Sequence, residues 1–182
     1  MRLINIVLGV SVLLFSCNKL DLDPLTQASA EKWYSTEEGV VSGINYLFRS
    51  PYWTSNLLND EASTEWADGW TDDWTNRNAV SLVTGGTLNS LSGIVTTNWR
   101  LRYECIANAN IVLASLERLS GQIEEDRLNR YVALARFARA YQYSLLVVMY
   151  GDVPYYENWI DVDEAFALVR TDKETVLQHI YD

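Results

Sequence analysis

Apolar residues recur at helical spacing in several stretches of the chain and lose that spacing between them. Val40, Val41, Ile44, Leu47 and Phe48 follow Ser35-Thr36-Glu37-Glu38. That tetrad reads as a capping box, with the Ser35 hydroxyl taking an orphan amide and Glu38 reaching back. Pro51 is expected to end this helix. From Leu91 to Leu119, Ile94, Trp99, Tyr103, Ile106, Asn110, Leu113 and Leu116 fall on one broad stripe. Gly121 breaks the pattern, and a second long helix is predicted from about Glu124 to Tyr150. Leu128, Val132, Ala135, Arg139, Tyr143 and Leu146 mark one of its sides. Ala133, Ala135, Ala138 and Ala140 are small, good helix formers that let a neighbouring helix approach closely. The short turn between the two helices predicts an antiparallel hairpin.

Gly151-Asp152-Val153-Pro154 stops the second helix, because Gly terminates and Pro cannot continue. Residues 155–170 read as a loop with one turn. Thr171-Asp172-Lys173-Glu174 reads as another capping box, opening a helix with Val176, Leu177 and Ile180 on one side. That helix runs to Asp182 without a C-cap, as expected of a truncated chain. The predicted fold class is all-α, with tetratricopeptide-like helical hairpins, although one hairpin alone does not define a repeat array.

Residues 52–88 have no long period. They hold Trp53, Trp66, Trp70 and Trp74 among Asp60, Asp68, Asp72, Asp73, Gly69, Gly85 and Gly86, and are read as a long irregular loop. Loops of that length in a compact domain are usually functional. The sequence has 7 Trp and 11 Tyr beside only 4 Phe, a bias toward aromatics that carry a polar handle. Sugar rings present apolar C–H faces and peripheral hydroxyls, so a sugar site needs flat aromatics together with carboxylates or amides. Trp66, Asp68, Trp70, Asp72 and Trp74, with Asp73, supply both and are the candidate glycan-binding residues. The alternative is that these tryptophans pin the loop onto the helices or face a protein partner.

Charge and side-chain inventory exclude several classes. A formal net charge of −10 and a pI near 4.5 argue against nucleic acid. His179 is the only histidine, which argues against a His-based triad or a multi-His metal site. Asp161-Val162-Asp163-Glu164 lacks the glycine and spacing of a calcium loop. The acids do not fall in any nucleophile–base frame, so no catalytic residue, metal or cofactor is assigned and no enzyme is expected.

The N-terminus reads as an address. Arg2 supplies a positive start, and Leu3 to Phe15 is apolar apart from Asn5, Gly9 and Ser11. The run is too short to span a bilayer and suits a secretory signal. Leu14-Phe15-Ser16-Cys17 resembles the bacterial lipobox, in which the cysteine is acylated. The expected organisation is a signal peptide at 1–16, a lipidated tether at 17–27 and a helical domain at 28–182. Asn18-Lys19-Leu20-Asp21-Leu22-Asp23-Pro24 is a polar tether whose aspartates resemble the acidic signals that send some lipoproteins to the outer face of the outer membrane. A plain solvated linker has the same composition. Cys105 then has no disulfide partner in this segment and is expected to be a buried thiol.

Three stretches together resemble the SusD/RagB family of outer-membrane glycan-uptake lipoproteins. They are the lipobox with Leu20-Asp21-Leu22-Asp23-Pro24; the helix with Trp99, Tyr103, Ile106, Asn108 and Asn110; and Ala135-Arg136-Phe137-Ala138-Arg139-Ala140-Tyr141-Gln142-Tyr143 running on to Tyr150-Gly151-Asp152-Val153-Pro154. The resemblance covers only the front part of such proteins. It implies a non-enzymatic lipoprotein anchored at the cell surface, binding an oligosaccharide or other nutrient and delivering it to a SusC-like TonB-dependent transporter. The competing readings are a helical-repeat module that binds only protein and, with least support, a glycoside hydrolase.

Overall fold

The computed structural model describes residues 34–53 and 86–181. The described helices are α1 (Glu37–Leu47), α2 (Ser50–Trp53), α3 (Gly93–Arg118), α4 (Glu125–Tyr150), α5 (Val162–Ala167) and α6 (Lys173–Tyr181). The only extended pairing among the described residues is an antiparallel bridge between Val153 and Thr171. The all-α expectation holds.

α3 and α4 form the predicted hairpin, and cross-links along its length show that the helices run antiparallel. The Tyr150 hydroxyl donates to the Val95 carbonyl, Arg102 donates to Gln142, and Arg139 donates to Asn110. Ala135 and Ala138 are fully buried, as close approach requires, whereas Ala133 lies on the exposed side. The turn is closed by Leu119 and Ile123, both buried, with the Ile123 amide donating to the Leu119 carbonyl. Gly121 is exposed, and a Cβ there would meet open space, so the turn does not depend on its being glycine. Gly151 does carry a conformational demand, since its φ of 69° lies in the left-handed region that ends α4.

α1 lies across the hairpin and buries Val40, Ile44 and Leu47. Gly43 permits this approach, because a Cβ there would sit 2.4 Å from Tyr34 Cε1 and 2.9 Å from Val112 Cγ2. The caps differ by one residue from the sequence reading. Thr36, not Ser35, is the N-cap of α1 and accepts from the Gly39 amide at 3.2 Å. Asp172, not Thr171, caps α6 by accepting from the Thr175 amide at 3.0 Å. Pro51 does not end α1, which stops at Leu47; it sits in the first turn of α2, where a missing amide proton costs nothing.

α2 also corrects the extent assigned to the irregular loop. Tyr52 is fully buried, and Trp53 is sandwiched between Phe48 (4.9 Å) and Tyr141 (4.5 Å) while its indole donates to the Leu47 carbonyl at 2.7 Å. Trp53 is therefore a packing residue.

Two polar clusters hold α2 in place. Glu104 accepts from Arg49 (2.6 Å), Tyr52 (2.7 Å) and Arg100 (3.1 Å). Arg102 is buried with no carboxylate partner among the described residues, and burial draws its pKa below the usual arginine value. It donates to the Tyr52 carbonyl at 2.7 Å and to Gln142 Oε1 at 2.8 Å, which offsets part of its desolvation. Cys105 is fully buried, and that burial pushes its thiol up to about 12, in keeping with an inert core cysteine.

Candidate functional site

The segment after Gly151 crosses back over the hairpin and is fastened to it by side-chain hydrogen bonds. Tyr103 donates its hydroxyl to the Pro154 carbonyl at 2.7 Å. The Tyr143 hydroxyl donates to the Tyr156 carbonyl at 2.8 Å and accepts from the Tyr156 amide at 3.0 Å. The Asn110 side-chain amide donates to the Asn158 carbonyl at 3.1 Å, and Arg139 donates to the Glu157 carbonyl at 2.9 Å. Burial raises the pKa of Tyr103 and Tyr143 well above the ordinary phenol value, so both stay protonated and able to donate across the whole physiological range. Asp152 serves the same end of the molecule: its carboxylate accepts from the Lys173 amide at 3.0 Å, and its carbonyl accepts from Arg170 at 2.8 Å. The Gly-Asp-Val-Pro stop thus locks α6 against the hairpin.

This fixed crossover creates two clefts that meet at Arg139. One, of about 490 Å³, lies between α3, the start of α4 and the crossover; Asn110, Glu117, Ser120, Arg136, Asn158 and Trp159 contribute its polar and aromatic lining. The other, of about 510 Å³, lies between α4 and α6, with Phe137, Tyr155, His179 and Tyr181 on its walls. Arg136, Arg139 and Glu157 line both. Arg139 pairs with Glu157 at 3.5 Å, and the Tyr155 hydroxyl donates to the same carboxylate. Trp159 is 63% exposed, in contrast to the packed Trp53 and Trp99. A flat indole beside amides, a hydroxyl and ionic groups has the chemistry that sugar recognition needs.

The residues singled out from sequence have different outcomes. Cys17 and the loop candidates Trp66, Asp68, Trp70, Asp72, Asp73 and Trp74 lie outside the described residues. Asp161-Val162-Asp163-Glu164 is an N-terminal cap: Asp161 accepts from the Glu164 amide at 2.8 Å, and Glu164 accepts in return from the Asp161 amide at 3.1 Å. No cluster of three His, Cys, Asp or Glu side chains with metal-binding geometry occurs among the described residues. No described helix is long and apolar enough to cross a membrane. Sequence reasoning passed over Trp159. Its signal was a lone Trp in a polar segment, Glu157-Asn158-Trp159, just beyond a strong helix stop.

The chain belongs to the SusD-like family, whose description is starch-binding associating with outer membrane; the match covers residues 25–182. Two curated relatives, the SusD-like proteins P25 and P2 of Formosa agariphila, are each 27% identical to it, over 99% and 92% of this chain. The alignments take in 36% and 34% of those relatives, so the chain spans about a third of their length. Among solved structures it is similar to a SusD-like carbohydrate-binding protein of Bacteroides fragilis, with a TM-score of 0.67 and 20% identity over 81% of this chain and 30% of that one. It is also similar to surface glycan-binding protein A of Bacteroides fluxus, with a TM-score of 0.65 and 19% identity over 81% of this chain and 32% of that one. At these identities the structural likeness establishes the fold.

Proposed function

We propose that this chain is part of a non-enzymatic, cell-surface glycan-binding lipoprotein that delivers oligosaccharide to a SusC-like TonB-dependent transporter. The observation that carries the reading is the exposed Trp159 at the edge of the α3–α4 cleft, on a scaffold whose family is described as starch-binding. Trp66, Asp68, Trp70, Asp72 and Trp74 remain proposed as further contributors to the glycan surface. Trp159→Ala is expected to weaken oligosaccharide binding by about 1–3 kcal/mol, the range for losing one stacked aromatic platform. The thermal midpoint should be nearly unchanged, since the side chain is mostly exposed. Isothermal titration against a panel of oligosaccharides checks this; unchanged affinity for a bound glycan would remove Trp159 from the site.

The proposed anchor is acylated Cys17, which places the protein at the outer membrane. Its support is the apolar run and lipobox-like Leu14-Phe15-Ser16-Cys17. Radiolabelled fatty acid should appear on the wild-type protein and not on Cys17→Ala, and its absence from the wild type would contradict the anchor. An exposed apolar surface supports the proposed contact with a protein partner. α5 buries no residue, and Val162, Phe166 and nearby Val169 are each at least 70% exposed.

A further inference from the structure

We infer that the ligand of these clefts carries an anionic group, a carboxylate or a sulfate ester on the sugar, and that Arg136 receives it. This inference rests on the glycan-binding reading above and adds the chemical class of the ligand. Arg136 lines both clefts, is exposed, and makes no hydrogen bond or ion pair with any described residue. Its neighbours one helical turn away on α4 are Val132, Ala133, Arg139 and Ala140, so no carboxylate on its own helix can neutralise it.

The other charges in the clefts are already committed or offset. Arg139 is paired with Glu157 and also donates to Asn110 at 2.9 Å. Glu157 is engaged a second time by Tyr155. In the cleft beside Trp159, Glu117 on α3 brings the count of acids level with that of the arginines. In the cleft beside α6, Arg136 is left as an uncompensated positive charge, with His179 as a further basic group on the wall. The whole chain carries a formal charge of −10, so an anionic ligand is repelled by its overall field and would be held only by a local, unpaired cation. A guanidinium suits that task, since its planar fork can donate two parallel hydrogen bonds to a carboxylate or sulfate. Trp159 lines one of the clefts that Arg136 lines, so one saccharide can stack on the indole while its anionic substituent meets the arginine.

The test uses paired oligosaccharides on a common backbone, titrated into the full chain. One pair is oligogalacturonate and its methyl ester; the other is a sulfated galactan oligosaccharide and its desulfated form. The anionic member of at least one pair should bind about tenfold or more tightly, as one charge-assisted contact provides, and the pair that shows the preference identifies the group. Arg136→Gln should abolish that preference while leaving the circular dichroism spectrum unchanged, and Arg136→Lys should restore part of it. Equal affinity within both pairs, or a preference that survives Arg136→Gln, overturns the anion assignment and leaves the glycan reading standing. Failure of the wild type to bind any oligosaccharide, charged or neutral, overturns both.

Discussion

Raising the pH above about 10 is expected to unfold this domain cooperatively, with loss of helix and appearance of tyrosinate in one transition. Burial raises the pKa of Tyr143, Tyr103 and Tyr156 above the usual phenol value, and Tyr52 is raised by burial and by its hydrogen bond to Glu104. Cys105 is pushed by burial from an ordinary thiol value of 9.0 up to about 12. A group whose folded pKa lies above its unfolded value stabilises the fold fully below the unfolded pKa. That contribution is lost as the pH rises toward the folded pKa. The loss therefore begins near pH 9 for the thiol and near pH 10 for the phenols. Each group contributes roughly 1.4 kcal/mol for every pH unit by which its titration is delayed. All of these groups act in the same direction, so a domain with the usual stability of about 5–15 kcal/mol loses it progressively as the pH rises past 10. Far-ultraviolet circular dichroism and absorbance at 295 nm, followed through an alkaline titration, check this. Smooth titration of all tyrosines near pH 10 with the helices intact would contradict it.

The second large effect is expected at Tyr143. Its ring is 1% exposed, packs at 4.7 Å against Tyr155 and edge-on at 6.4 Å against Tyr103, and its hydroxyl bonds both the amide and the carbonyl of Tyr156. Tyr143→Ala removes the ring, leaves a cavity, and should cost about 3–5 kcal/mol. Tyr143→Phe keeps the ring but strands two backbone groups, and should cost about 1–3 kcal/mol. Urea unfolding of the two variants separates these contributions. The Phe variant should also loosen the crossover at 155–159 and so weaken ligand binding more than its stability loss alone accounts for. Equal stability of Tyr143→Phe and wild type would show that water replaces the hydroxyl and that the crossover is held by its other bonds.

The long helices were legible because a helix of 26 residues repeats its apolar stripe many times, and their observed limits lie within two residues of the reading. The end of α4 was legible because only a residue such as Gly151 accepts a φ of 69° cheaply. Caps were read one residue early at Ser35 and Thr171. Adjacent hydroxyl and carboxyl residues each fit the pattern there, and only the backbone decides between them: Thr36, with φ −130° and ψ 162°, is the last extended residue before α1. The proposed binding surface was not legible. Arg136 and Arg139 looked like ordinary members of an Ala/Arg/Tyr helix, and what distinguishes them is contact with residues about 20 positions later. The crossover places Glu157 against Arg139, which occupies that charge and leaves Arg136 open. Arg102 was hidden for the same reason, since its partners Tyr52 and Gln142 lie 50 and 40 residues away.

The most direct test of glycan binding at the hairpin is hydrogen exchange on the full chain, with and without a saturating oligosaccharide that binds it. Peptides covering the start of α4 through Arg139, and the crossover through Trp159, should show slowed exchange in the complex. Peptides from α1 should be unaffected. Protection confined to the segment holding Trp66, Trp70 and Trp74, with residues 132–139 and 155–160 unchanged, would contradict the assignment of the site to these clefts.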